Sequence, residues 1–141
     1  MIILTKKKPK AIIFIGKRKK AIARATIKKG TGKITINSRP LESFPRYIQM
    51  RIKEPVVIAE AENNFNIDIN AKGGGQWGQA DASRTAIANA LISWFKEKKD
   101  LKKRYLHYDR SLVISDKRRT EPHKPSRSSA GPRRTKQQSK R

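Results

Sequence analysis

The chain has 141 residues, enough for one domain with its own core and too few for two. Its 35 lysines and arginines against 11 acids give a formal net charge of +24, a self-repulsion that a polyanionic partner would offset. It contains no cysteine, which excludes disulfides, thiolate metal sites and thiol catalysis and fits a reducing compartment.

The charge is unevenly spread. Residues 1–41 carry 13 basic side chains and no acid, residues 42–108 carry 11 basic and 8 acidic, and residues 109–141 carry 11 basic and 3 acidic. The expected organisation is a basic N-terminal arm over 1–11, a globular α+β domain over 12–108, and an extended basic tail over 109–141. In the arm only Ile2–Leu4 is apolar before Lys6, so no signal peptide, membrane span or lipid anchor is expected.

Ile12–Ile15 reads as a strand, followed by Gly16 and the basic run Lys17, Arg18, Lys19, Lys20. Ala21, Ala23, Ala25 and Ile27 then alternate with Ile22, Arg24, Thr26 and Lys28, a strand with one face on a core and the other in water. Lys29–Gly32 is turn chemistry and Lys33–Asn37 alternates again, so these two strands are expected to pair as a hairpin. Pro40 and Leu41 open a helical stretch in which Phe44, Tyr47, Ile48, Ile52, Val56, Val57 and Ala61 recur at helical spacing, with a break or kink expected at Pro55. Phe65, Ile67 and Ile69 mark a third half-buried strand. After Gly73–Gly75, Gln79 to Lys99 reads as the longest helix, with Ile87, Leu91, Trp94 and Phe95 as its apolar stripe. A short helix over Asp100–Tyr108 is expected to turn Leu101, Tyr105 and Leu106 inward. From Lys117 the chain has three prolines and ten basic residues against Glu121, a composition that predicts disorder in isolation.

Three constellations invite chemistry. Gly73-Gly74-Gly75-Gln76-Trp77-Gly78 matches a dinucleotide-binding glycine pattern, but the acid expected about 20 residues on would be Glu97, inside a lysine-rich helix. No Gly-Lys-Ser/Thr closes a phosphate loop either. The glycines are expected to let a helix approach a sheet, and their amides to be available to an RNA phosphate. His107 to Ser111 contains hydrolase residue types, yet neighbours along a chain seldom converge as a triad. The two histidines, His107 and His123, do not make a metal site. Trp94 is expected in the core, whereas Trp77 in a loop could stack on a base. Among charged groups, Lys17, Arg18, Lys19, Lys20 and Arg24 lack any compensating acid, which favours phosphate contact over a merely solvated strand.

Gly16 to Arg24 resembles the G-x-R-K-x-A-x-A-R opening of the small-subunit ribosomal protein nine family, and Gly30 to Asn37 looks like its second strand. Lys72 to Ala80 matches the family's triple glycine with Gly-Gln following. Asp109 and Arg110 with Lys117, Arg118 and Arg119 resemble its basic connector, and Ser139-Lys140-Arg141 its usual ending. The resemblance covers residues 12–141 in order and looks like the archaeal and eukaryotic branch. Asn89 stands where the family commonly has a basic residue, and Gln138 where many members have an aromatic one.

The resemblance implies a sandwich of a small, mostly four-stranded sheet packed by helices, like the second domain of ribosomal protein S-five. It implies a structural constituent of the cytoplasmic small ribosomal subunit, in the subunit head, with no enzymatic activity, cofactor or metal. Its partners would be small-subunit ribosomal RNA, neighbouring ribosomal proteins and peptidyl-site tRNA, with no membrane and no homo-oligomer. Ribosomal RNA would meet Lys17, Arg18, Lys19, Lys20, Arg24, Lys72, Gly73, Gly74, Gly75, Arg110, Lys117, Arg118, Arg119, Lys124, Arg127, Arg133, Arg134 and Lys136. Lys140 and Arg141 would approach tRNA. A free nucleic-acid-coating protein and an enzyme using the Gly73 loop are the alternatives; sedimentation with small-subunit particles and nucleotide binding by the domain separate them.

Overall fold

The computed structural model describes residues 11–62, 64–95, 99–120 and 122. The alternating segments at the start form two antiparallel strands, β1 (Ile12–Arg18) and β2 (Ala21–Lys29), joined by Lys19 and Lys20 with Arg18 opposite Ala21. Period two puts Ala21, Ala23, Ala25 and Ile27 on the buried face and leaves Ile22, Arg24 and Lys28 in solvent.

The expected hairpin between β2 and the next strand does not form. β3 (Ile34–Ile36) and the two-residue β4 (Arg39–Pro40) lie on the far side of β5 (Phe65–Lys72), and the sheet order is β1-β2-β5-β3-β4. β5 runs antiparallel to β2 and parallel to β3. The reason lies in the 30–33 turn, whose amides bond to the start of β5. Gly30 N donates to Asn64 O at 3.1 Å and Gly32 N to Phe65 O at 3.1 Å. Asn66 Oδ1 accepts from Thr31 N and Lys33 N at 3.0 and 3.2 Å. At the other end, Asn37 sits at φ +47 and imitates a strand residue. Its Nδ2 donates to Ala71 O at 3.0 Å and its Oδ1 accepts from Ala71 N at 2.9 Å.

The helical stretch begins later than expected: a 3₁₀ turn at Leu41–Ser43 precedes α1 (Arg46–Ile58). Pro55 does not break α1, which continues through it to Ile58. The proline is buried, and its carbonyl accepts both Ala59 N at 3.2 Å and the hydroxyl of Tyr105 at 2.6 Å. Tyr105 belongs to α3 (Lys99–Tyr108), so this bond docks α3 on α1. Leu101 and Tyr105 are buried as expected, but Leu106 is an exposed residue, pointing away from the face those two share.

The longest helix, α2 (Gln76–Trp94), starts three residues before the expected point. Instead of one apolar stripe, it buries residues around most of its circumference, including Ala80, Ala82, Ala86, Ile87, Ala88, Ala90 and Leu91. It packs against β1 and β2 on one side, α1 on another and the 3₁₀ turn Arg110–Leu112 on a third. Small residues make this possible. A Cβ at Gly16 would lie 1.9 Å from the carbonyl oxygen of Ala82, so the α2 backbone rests directly on β1 there. Trp94 and Phe95 are partly buried, both edge-on to Phe65. The buried strand positions all lie on the α2 side. Among the described residues the opposite sheet face is open, with Ile13, Ile15 and Ile22 exposed between basic side chains.

Candidate nucleic-acid interface

The strand register gathers charges that are far apart in the chain. Lys17 stands opposite Ile22, and Ile22 opposite Lys72, so both lysines flank one isoleucine on the open sheet face. Arg24 follows two residues along β2 on that face, and all three cations are exposed. Lys19 and Lys20 occupy the β1–β2 turn, with Lys19 at φ +52.

The glycine loop abuts this turn. Gly73 and Gly74 have φ of +75 and +64, and a Cβ on Gly73 would fall 2.5 Å from the Lys20 carbonyl. Only glycine combines that backbone conformation with that approach. Gly75 caps α2 without a side-chain hydrogen bond, and the first turn of α2 holds no acid. The first amides of α2 thus have no side-chain acceptor among the described residues, and the loop that leads to them meets the backbone of Lys20. The expected close approach is therefore that of the loop at Gly73 and Gly74 to Lys20 and Ala21, while a Cβ on Gly75 would meet nothing within 4 Å and the helix-to-strand contact rests on Gly16.

A second basic surface begins at Arg18. A cleft of about 520 Å³ is lined by Lys17, Arg18, Arg51, Arg84, Arg110, Lys117 and Arg118, with Asp81, Asp109 and Asp116 among them. Arg18 is paired with Asp116 and lies 3.8 Å from Asp81, so part of its charge is neutralised within the protein. Arg118 chelates Asp116 through Nε and Nη2 at 2.9 and 2.8 Å. Arg119 Nη1 donates to the carbonyls of Asp116 and Arg118, while Arg110 and Lys117 are exposed.

Sequence reading missed the group beneath this cleft. Arg84, in the middle of α2, has a side chain only 3% exposed. Its Nη1 donates to Asp109 Oδ2 at 2.8 Å and to Ser111 Oγ at 3.1 Å. Its Nε lies 2.5 Å from Glu54 Oε2, a charge contact off the hydrogen-bond line, so neither atom completes a hydrogen bond. Burial pushes the Asp109 carboxyl up, but the Ser111 amide and Arg84 outweigh it and hold the carboxyl below its ordinary value. Thr85 Oγ1 and Asn89 Nδ2 donate to the carbonyls of Ser111 and Val113. With Leu112 fully buried, these bonds fix the chain onto α2 as it leaves α3. The available signal was a lone arginine among alanines and isoleucines, since a cation there needs an acid.

His107 is exposed, while Asp109 and Ser111 are bonded to Arg84, so the residues at 107–111 do not assemble a hydrolase triad. Trp77 lies in the first turn of α2, not in a loop, and stacks on Tyr47 of α1. Lys124, Arg127, Arg133, Arg134, Lys136, Lys140, Arg141 and the arm over 1–10 lie outside the described residues.

Residues 16–141 match the family described as Ribosomal protein S9/S16. The Small ribosomal subunit protein uS9 of Methanococcus maripaludis is 54% identical over 132 residues, 92% of this chain and 98% of the relative. The protein of the same description from Methanococcus vannielii is 52% identical over 132 residues, again 92% and 98%. That from Picrophilus torridus is 47% identical over 116 residues, 81% of this chain and 86% of the relative.

Proposed function

This chain belongs to the ribosomal protein S9/S16 family, and on that premise we propose that it clamps small-subunit ribosomal RNA through the surface where the β1–β2 turn meets the glycine loop. The family role is structural and not enzymatic, and the chain is a constituent of the small ribosomal subunit in the cytoplasm. The observation that carries the RNA reading is the run of exposed Lys17, Lys72 and Arg24 along the sheet face away from α2, continued by Lys19 and Lys20 in the turn that the glycine loop abuts. Phosphates gain charge-assisted bonds from the lysines and arginine and direct bonds from the amides. Arg110, Lys117, Arg118 and Arg119 extend the basic surface along the cleft toward the tail, whose Lys124, Arg127, Arg133, Arg134 and Lys136 continue the contact. The packing of α2 on one face of the sheet, with the other face open among the described residues, supports a fold like the S-five second domain.

The test is salt dependence. With six to ten phosphates neutralised, affinity for small-subunit ribosomal RNA falls about 10³- to 10⁵-fold between roughly 50 and 200 mM salt. Replacing Lys17 and Lys20 by alanine flattens the log–log slope by about 0.7–0.9 for each phosphate that a lysine had neutralised. An unchanged slope removes these residues from the interface.

The tail's reach supports contact between Lys140–Arg141 and tRNA at the peptidyl site. From Lys117 it has 25 residues, which fully extended span at most about 80–90 Å. Deleting Lys140 and Arg141 leaves particle assembly intact and speeds tRNA dissociation, by a loss on the order of 1 kcal/mol for partly solvated contacts. Unchanged dissociation from intact particles reduces the tail to a neutraliser of ribosomal RNA.

A further inference from the structure

Trp77 is held in a way that its packing alone does not require. Its indole stacks on the Tyr47 ring with centroids 4.6 Å apart and planes 21° from parallel. The Tyr47 hydroxyl donates to Gln76 Oε1 at 3.2 Å, which ties the ring to the backbone turn that carries the tryptophan. One indole face is thus covered and its orientation set by two helices, yet Trp77 remains 59% exposed. A clasp between α1 and α2 explains the covered face only.

The position explains the rest. Trp77 comes two residues after Gly75, at the end of the glycine loop that abuts Lys20, and Gln79 Nε2 donates back to the Gly73 carbonyl at 3.2 Å. Arg46 directly precedes Tyr47 and is exposed. A braced, exposed aromatic face therefore stands in the first turn of α2, two residues beyond the loop that meets Lys20, and its partner Tyr47 is preceded by the exposed Arg46. That combination fits a nucleotide whose phosphate is held by the loop and whose base is out of its helix.

We propose that Trp77, braced by Tyr47, is a stacking platform for an unpaired base of the bound RNA. The platform rests on the RNA reading above and adds to it a single-stranded site that paired RNA cannot fill. Stacking is tolerant of base identity, because every base has a π-face, so the site selects unpaired structure more than sequence.

Full-length protein with Trp94→Phe leaves Trp77 as the sole indole reporter. The probes are a single-stranded oligoadenylate and a fully paired RNA duplex of equal length. The single strand quenches Trp77 fluorescence strongly and the duplex does not. Trp77→Ala weakens single-strand binding about 5- to 150-fold without changing the salt slope, since the substitution removes no charge. Trp77→Phe recovers most of the affinity. Equal quenching by both probes, or an alanine variant that binds the single strand as tightly as wild type, overturns the platform. If the alanine variant binds RNA normally but fails to enter small-subunit particles, the aromatic face takes a protein and the proposal is equally overturned. Lys17→Ala with Lys20→Ala tests the underlying RNA reading separately. A flatter salt slope in that variant beside an inert Trp77 sinks only the platform, while wild-type protein that binds neither RNA sinks both.

Discussion

Replacing Arg84 by methionine isolates the group that fastens the C-terminal segment to the domain. Methionine keeps much of the volume and removes the charge, leaving Asp109 without its cation and Glu54 with Arg51 alone, 3.7 Å away. Removing one partner of a buried ion pair costs about 3–5 kcal/mol. The side chains of Glu54 and Asp109 are 17% and 34% exposed, so water partly compensates and about 2–3 kcal/mol is expected. For a domain of this size that lowers Tm by about 6–15 °C. Circular dichroism melts at neutral pH measure it. The pH dependence has a definite sign. Asp109 has its folded pKa lowered from 3.8, so its contribution is present above the unfolded value and lost as pH falls through the folded one. The gap between wild type and variant therefore narrows on acidification below about pH 4. Adding Glu54→Gln and Asp109→Asn to the variant recovers much of the loss, because the stranded charges disappear. A single variant within about 0.5 kcal/mol of wild type, inside the usual range for surface substitutions, refutes the fastening role.

Gly16→Ala forces α2 off β1, because the added Cβ overlaps the Ala82 carbonyl. The loss in urea unfolding is about 3 kcal/mol or more, against under about 1 for Gly75→Ala, whose Cβ meets nothing within 4 Å. Asn37→Ala removes both bonds to Ala71 and leaves a non-glycine residue at φ +47, and chemical denaturation shows a destabilisation of about 2–3 kcal/mol. Burial raises the Tyr105 hydroxyl well above its ordinary value of 10.0. Stability is full below the unfolded pKa and declines as pH rises through and beyond it, so Tyr105 ionises with alkaline unfolding, followed by ultraviolet difference absorption. Tyr105→Phe loses about 1 kcal/mol at neutral pH, and that difference shrinks above pH 10.

The sequence by itself determined what depends on neighbours a few residues apart. The alternation of Ala21–Ile27 and Phe65–Ile69 set which strand face is buried, because side-chain direction has period two whatever strand lies alongside. The run of cations without a local acid at Lys17–Arg24 and the glycine run at 73–75 marked the surface proposed for RNA, since charge along the chain and chain stiffness are local properties; that Arg18 is paired with Asp116 is not. Strand order was not local. The turn at 30–33 looked like a hairpin, and only the position of Asn64–Asn66 shows its amides bonded to an inserted β5. The same holds for the cation cluster. Lys17, Ile22 and Lys72 become neighbours through register, and Arg84, Glu54 and Asp109 become a network through helix packing. Their separations along the chain carry no energy; the ion pairs exist only where α2 is enclosed by α1, the sheet and residues 109–113. Pro55 and Trp77 are the sharpest cases. A proline suggested a break, yet its buried carbonyl became the acceptor for Tyr105, and a tryptophan placed in a loop became the outer ring of a stack whose inner ring comes from another helix.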